Sequence, residues 1–566
     1  MSRSLSSSSS IEVLRREAKR WLKSITGGDG EALERLRKVC PERTSAPKLR
    51  EVQQALAREH GFTSWAALKQ EIEDRARTHA ERVRLFLEKS VHRYGIDPDT
   101  RKWGDYERDG PARGVRAASL LAHHPEIALD SIHTAVAAHD VEAVRSLLVR
   151  NTGLANDRSA FDGWTPLLRL AYIRLPTEPA RTRALEIARL LLDAGADVGA
   201  VMDDGSGRGF KVLTGVIGGG EAGQSPHPQA EALARLLIAR GADPLDGQAL
   251  YNTSLGEDDT FWLDLLWTQS EKRGETGRWH ESVPDVLPPA LDYLLGNAVP
   301  QHPNRAAWLL AHGAHGDATN YYSKQPVVRH AAIAGRTDLV TLLVAHGAAL
   351  PELSNDERFL AAVGAGDIAV VRRLASADPQ LLQRHEAMFA AIRQRRTDVA
   401  EALLDLGMSP DAHDDQNFTA LHCTTHCGAL EIARLLIARG AEIDPCELRH
   451  GGTPLTHACY HERADMIELL ASSSCNFRGL CYAGAVARLR ELLTGEPEHA
   501  NREDRPGEPA LFCLPGDEDK AVEVAELLLS FGANPSFRNP LGQTPAQVAW
   551  RRGLDEAAAL LEDRQR

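Results

Sequence analysis

Apolar residues recur along this chain at three-and-four spacing, in short bursts that each stop at a glycine. The phrase LLLDAGADVGA, ending at Ala200, returns as LLIARGADPLDG, LLAHGAHGDA, LLVAHGAAL, LLDLGMSPDA, LLIARGAEIDP and LLLSFGANPSF. The spacing predicts helices, and the glycines, Gly195, Gly241, Gly313, Gly347, Gly407, Gly440 and Gly532, stand where each helix ends. Just past a helix the backbone turns through φ > 0, which glycine adopts without the steric cost of a Cβ. A second signal lies upstream: Thr165-Pro166, Thr419, Thr453-Pro454 and Thr544-Pro545. The threonine hydroxyl accepts a backbone N–H of the first turn, and proline fits the first helical position, where no donor is needed. Each unit reads as two helices.

Thr419 and Thr453 lie 34 residues apart and Gly407 and Gly440 lie 33 apart. The gap of 60 from Gly347 to Gly407 leaves room for one degenerate unit, RFLAAVGAGDIAVVRRLASADPQLL. A period of this length is the mark of stacked repeats. TPLTHACYHERADMIELL and TALHCTTHCGALEIARLLIARGAEID closely resemble the ankyrin repeat, a hairpin loop followed by two antiparallel helices. The resemblance covers Ser131 to Leu561 in about eleven or twelve units. It implies an all-α fold, an ankyrin-repeat α-solenoid over residues 115–566 that presents a concave groove to protein partners.

Units near 131, 326, 386, 417, 451 and 541 read cleanly, whereas others carry insertions. One follows Tyr172, one is the stretch GGGEAGQSPHPQ near 218, and the longest runs from Gly256 to Asp285. The longest holds Trp262, Trp267 and Trp279. These rings either pack the insertion onto the stack or anchor a partner, since tryptophan is enriched at interaction hot spots.

Ahead of the array, IEVLRREAKRWLKSI, EALERLRKV, APKLREVQQALAREHG and SWAALKQEIEDRARTHAERVRLFLEKSV predict an N-terminal helical domain over residues 11–90, with Thr63 or Ser64 capping the last of these helices. AREHGFTSWAALKQEIE is similar to a segment that precedes ankyrin arrays in bacterial proteins, which implies a bacterial source. Residues 91–114, polar and broken by Pro and Gly, read as a linker or irregular cap. Residues 1–10 read as a solvated, disordered Ser-rich tail. The helix from Val115 and the helical leader are expected to cover the apolar face at the start of the stack, while DEAAALLEDRQR ends it in charge.

At 566 residues the chain exceeds one ordinary core, so an array whose core grows with length fits it. Its 43% hydrophobic and 26% charged residues are globular, and its 5% aromatics suit thin helical layers. A net charge of -13 gives no support to nucleic-acid binding, which needs a basic surface. Eight cysteines without secreted spacing, a start that lacks a signal-peptide run, and the lack of any long uncharged apolar window predict a reduced, cytoplasmic protein outside the membrane, acting as a monomer.

The string HCTTHC, His422 to Cys427, has the ligand types of zinc. The repeat register divides it. His422 falls on the family histidine, which resembles a structural partner of the capping Thr419, and Cys423 falls on the next helical position, where free cysteine behaves as a small hydrophobe. His426 and Cys427 fall on variable positions before Gly428 that face the groove. A Cys2His2 set from Cys423, Cys427, His457 and His461 is conceivable by spacing, but adjacent helices pack about 8–10 Å apart and one pair belongs to the core. His139-Asp140 and His413-Asp414 fall in turns, where aspartate is common. GGGEAG lacks the Lys-Ser/Thr of a phosphate-binding loop, HERAD and HEAMF lack the second histidine of a zinc-protease helix, and there is no GxSxG.

These readings predict a non-enzymatic scaffold with no catalytic residues, cofactor or metal. The partner-contacting positions expected from the register are Arg393, Gln394, His426, Cys427, Tyr460, His461, Tyr482, Arg551 and Arg552. The alternatives are a regulatory or chaperone-like subunit whose leader and array bind different partners, and a metal-dependent enzyme or zinc-binding protein.

Overall fold

The computed structural model describes residues 10–39, 47, 49–62, 64–101, 111–203, 209–220, 223–283, 286–503, 507–552 and 554–565. The expected tail, apart from Ser10, the middle of the expected linker (102–110) and Thr63 lie outside the described residues. Among the described residues there are 32 α-helices and two short antiparallel strand pairs, Val201–Met202 with Phe210–Lys211 and Ser282–Val283 with Val286–Pro289. No helix among them is long and apolar enough to cross a membrane. The fold is the all-α ankyrin-repeat solenoid that the resemblance implied.

The repeats form where local signals place them. Thr165, Thr419, Thr453 and Thr544 each cap a helix by accepting the N–H three residues on. All seven expected glycine stops have φ between 84° and 108°. At Gly440 (φ 88°) a Cβ would meet nothing within 4 Å, so the demand there is for the left-handed backbone and not for space. Helix pairs follow in register: His385–Arg393 with Thr397–Asp405, Ala420–Cys427 with Leu430–Ala438, and Pro454–Tyr460 with Ala464–Ala471. Each pair divides its apolar residues between two cores. Ala420, Cys423, Ile432 and Leu436 belong to the core that contains Phe389 and Leu403, whereas Leu421 and Ala433 belong to the one that contains Leu455 and Met466. Stacking therefore builds a continuous interior that no single repeat could bury.

The chain divides into two compact units. The first comprises Met1–Leu14, His60–Ala331 and Asp338–Pro351; the second comprises Arg15–Glu59, Ala332–Thr337 and Glu352–Arg566. The expected leader at 11–90 does not group as one body. In the second unit, the helix Ile11–Thr26 from Arg15 onward, Gly30–Val39 and Leu49–Glu59 are tied together by Trp21, whose indole donates to the Ala32 carbonyl (2.9 Å), and by Arg35, which lies over the Trp21 ring and pairs with Glu59. This group meets the last repeat: the Arg15 guanidinium lies 3.6 Å from the Trp550 ring centroid, and Lys19 pairs with Asp563 at 3.3 Å. The first three leader helices thus meet the last repeat, whereas Trp65–Ala76 and His79–Lys89 pack against Pro111–His123 at the start of the array.

In the first unit, Ser64 caps the helix Trp65–Ala76, as expected. The segment read as a linker is different: Val91, Arg93, Tyr94 and Ile96 are buried. His92 N–H donates to the Tyr172 carbonyl (2.9 Å), Arg174 N–H donates to the Ser90 carbonyl (2.9 Å), and Tyr94 stacks on Phe210. Arg93 meets Asp162 at 2.7 Å, and Arg169 meets the same carboxylate at 2.7 and 2.9 Å. Burial opposes the charged form of Asp162, yet the guanidiniums of Arg169 and Arg93 outweigh it and hold the carboxyl down to about 2. The polarity that suggested a linker is absorbed by this buried ion cluster.

The tryptophans of the long insertion are packing groups. Trp279 is 0% exposed and donates to Ser270 Oγ (3.0 Å), and Trp267 contacts the rings of Trp279, Trp308 and His312. His139 and Asp140 form a turn, with Asp140 capping Val141–Arg150, and Asp414 accepts the N–H groups of Gln416 and Phe418 in a hairpin loop.

Candidate functional site

The helix Ala420–Cys427 begins with a capping box: Thr419 accepts the His422 N–H and His422 Nδ1 accepts the Thr419 N–H (3.1 Å). His422 Nε2 lies 3.2 Å from the Gly452 carbonyl in the next hairpin loop. Burial pushes this imidazole down to about 4, against a smaller opposing effect of the Gly452 hydrogen bond. Thr424 and Thr425 are buried and donate to the Leu421 and His422 carbonyls. Cys423 is buried in the core, so the first half of HCTTHC is structural.

The second half faces outward. His426 is exposed, and its Nδ1 lies 3.3 Å from His461 Nε2 of the next repeat, ring against edge. Tyr460 is 63% exposed and meets the His461 ring edge-on. Cys427 is half-buried, and its carbonyl accepts from Arg395 Nη2 (3.0 Å). The turn after this helix is crowded by cations: a Cβ on Gly428 would stand 3.4 Å from the Arg463 guanidinium and 3.7 Å from Arg395. Arg393 and Gln394, at the end of His385–Arg393, are exposed beside them. Among the described residues, Arg393, Arg395 and Arg463 form no ion pair.

Other expected positions lie apart from this cluster. Tyr482 is half-buried, with Arg478 Nη2 donating to its hydroxyl (3.3 Å) and the Arg478 guanidinium near its ring; burial, then Cys513, raises its ionisation. Its packing limits what it offers a partner. Arg551 and Arg552 are exposed at the last repeat, next to Trp550 and the packed leader helices. Sequence reasoning missed Arg395 and Arg463. Arg395 holds a turn at φ 54°, and both follow the groove positions by a residue or two, in turns where the repeat pattern fixes no residue type.

The conceivable zinc set does not converge. His461 meets His426 rather than Cys427, His457 packs edge-on against His422 and Phe418, and Cys423 is buried in the core. Among the described residues, no group of three or more His, Cys, Asp or Glu side chains is placed to hold a metal ion.

A stack of capped helix pairs with one exposed cluster on adjacent helix ends is a binding-repeat architecture, and comparison with known proteins names the repeat. Residues 358–445 and 388–479 match the family model for Ankyrin repeats (3 copies). Residues 358–479 therefore carry ankyrin repeats, and this stretch contains Arg393, His426, Tyr460 and His461. It is similar to the B-cell lymphoma 3 protein homolog of Mus musculus, 33% identical over 119 residues, which is 20% of this chain and 27% of that protein. It is also similar to the putative ankyrin repeat protein YahD of Escherichia coli (strain K12), 25% identical over 162 residues, 28% of this chain and 70% of that one. A match to a serine/threonine-protein kinase of Arabidopsis thaliana covers 68 residues, 12% of this chain. The chain spans about a quarter of the length of its lymphoma-protein relatives, 27% and 28% for the mouse and human proteins. What these matches share is the repeat, and ankyrin repeats suggest a protein–protein interaction role.

Proposed function

We propose that this chain is a non-enzymatic, monomeric cytoplasmic scaffold that captures an acidic segment of a protein partner on the face formed by Arg393, Arg395, His426, Tyr460, His461 and Arg463. The observation that carries this reading is the gathering of three guanidiniums, without carboxylate partners among the described residues, by the turn at Gly428, with Tyr460 exposed on the next repeat, on a chain of net charge -13. Like charges set together cost energy unless an anion joins them, and complementary charge fixes partner choice and speeds encounter. Tyr460 supplies the apolar anchor, since a few aromatic and arginine side chains carry most interface energy. No cofactor, metal or nucleic acid enters this reading. Cys427, Gln394, Arg551 and Arg552 are peripheral contacts in it, and Tyr482 a lesser one.

The test is crosslinking and affinity capture from the native cell, run in parallel with wild-type protein, a Tyr460→Ala/His461→Ala variant and an Arg393→Glu/Arg463→Glu variant. Partners specific to this face are lost from both variants while the melting temperature stays within about 2 °C of wild type. Capture that survives both changes, or that is insensitive to salt, defeats the reading.

A further inference from the structure

The ends of the helices Ala420–Cys427 and Pro454–Tyr460 are joined ring to ring. His426 Nδ1 lies 3.3 Å from His461 Nε2, with the two imidazole planes at 86°. At that distance one ring donates an N–H and the other accepts it through a lone pair. A proton added to the far nitrogen of the donating ring leaves the contact in place and makes it charge-assisted. A second proton would have to enter at the shared contact and set two N–H donors against each other. The pair is built to hold one extra proton and not two.

Cations border the pair along the stack. Arg393 and Arg395 come from the repeat before, with Arg395 donating to the Cys427 carbonyl (3.0 Å), and Arg463 comes from the turn after Tyr460. Exposed Tyr460 and half-buried Cys427 complete the border. Behind it, burial disfavours charge on His457 and pushes His422 down to about 4, so these rings stay neutral. The carboxylates near those two rings are engaged by backbone: Glu447 accepts the N–H groups of Arg449, His450 and Gly452, and Asp414 those of Gln416 and Phe418. Glu462, next to His461 in the chain, is exposed and forms no ion pair among the described residues, and His450 is exposed on its hairpin loop.

We propose that this face takes up its acidic segment together with one proton, held between His426 and His461, so that capture strengthens as the medium is acidified from about pH 8.5 to about pH 6. The inference rests on the scaffold reading above and adds its regulation. A carboxylate brought within about 4–6 Å of an imidazole favours the charged form, and histidine is the side chain whose ordinary range lies inside this window. Binding raises the pH at which the pair releases its proton. The added affinity is therefore complete below the range of the free pair and is lost as the pH rises through that of the bound pair. An upward move of about one unit on binding corresponds to about tenfold in affinity.

The experiment titrates the full chain with an end-blocked octa-aspartate peptide in a calorimeter, at low salt and in two buffers of unequal protonation heat. Affinity is about tenfold higher at about pH 6 than at about pH 8.5, and the difference in heat between buffers reports about half a proton taken up per peptide at about pH 7. In a His426→Gln/His461→Gln variant the ratio of affinities at the two pH values falls to about one, whatever the affinity itself, whereas His450→Gln keeps the ratio. In wild-type protein labelled with carbon-13 at histidine Cε1, the two resonances missing from the double variant titrate at higher pH with peptide than without it. Binding with a ratio near one, resonances that titrate alike with and without peptide, or a ratio that persists in the double variant or vanishes in His450→Gln overturns this inference and leaves the scaffold reading standing. Absence of peptide binding across the whole pH range overturns both.

Discussion

His422 holds two repeats together through one ring, reaching the Gly452 carbonyl of the next hairpin loop at 3.2 Å from Nε2 while Nδ1 accepts the Thr419 N–H at 3.1 Å. This pattern sets the tautomer: Nδ1 is an acceptor, so the proton sits on Nε2 and is donated to Gly452. Protonating Nδ1 would replace an accepting contact with a clash of two donors, which agrees with the depressed ionisation of the ring.

Replacing His422 with Ala removes both contacts. Loss of the capping box costs about 1 kcal/mol, and loss of the inter-repeat hydrogen bond in a buried setting about 1 kcal/mol more. Urea unfolding of the variant should show a loss of about 2 kcal/mol. A change within experimental scatter would mean that the Gly452 contact carries no weight.

Acid should destabilise the protein before its carboxylates titrate. Burial pushes His92 down to about 3, aided by Arg174 and Arg113, and pushes His133, His139 and His422 to about 4. In the unfolded chain each imidazole binds a proton near its ordinary value of 6.5, whereas in the folded chain it does not until the pH is far lower. The unfolded state then holds more protons, so stability is full above about 6.5 and falls with decreasing pH through the window down to about 4, by as much as about 1.4 kcal/mol per pH unit per histidine. Melting temperatures at about pH 7.5, 6 and 5 should decline in that order. A flat profile contradicts the buried, neutral assignment.

Gly440 separates conformational strain from crowding, because its φ is 88° and nothing lies where a Cβ would go. Gly440→Val should cost about 1–3 kcal/mol from the backbone alone, and Gly440→Asn less, since asparagine tolerates the left-handed region. The order Gly, Asn, Val in thermal stability checks this; equal stability of all three would show that the helix stop does not depend on φ.

The first three leader helices should behave as a cap on the last repeat. Arg15→Ala removes the cation over Trp550 and should cost about 0.5–1 kcal/mol. Deleting residues 1–59 should expose the apolar side of the terminal helices and raise hydrogen exchange in Pro545–Arg551 and Asp555–Asp563 above that in Ala420–Cys427. Uniform exchange across these helices after the deletion would show that the contact is incidental. The result also bears on a subunit with two independent binding heads, because residues 15–59 and the final repeats belong to one compact unit.

The repeats were legible because their signals are local. A threonine that caps, a glycine that stops and an apolar face at helical spacing act within a few residues, and the chain writes them many times over. The division of HCTTHC into His422 and Cys423 inside and His426 and Cys427 outside followed from that register. Other features depend on residues far apart in the chain. Val91–Ile96 looks like a linker by its polarity, and it is buried because Asp162 and Tyr172 supply partners from more than sixty positions away. The grouping of Arg393, Arg395 and Arg463 is likewise invisible in a string that places them in separate turns.

The amino-acid sequence by itself determined the repeat, its caps and stops, and which positions turn outward, because backbone sterics and helix periodicity act over one or two turns. Only the tertiary structure decided that Arg15 lies on Trp550, that the turn after Cys427 sits among guanidiniums, and that a polar segment enters the core. Those outcomes rest on burial and charge pairing between residues that meet only after the chain has stacked.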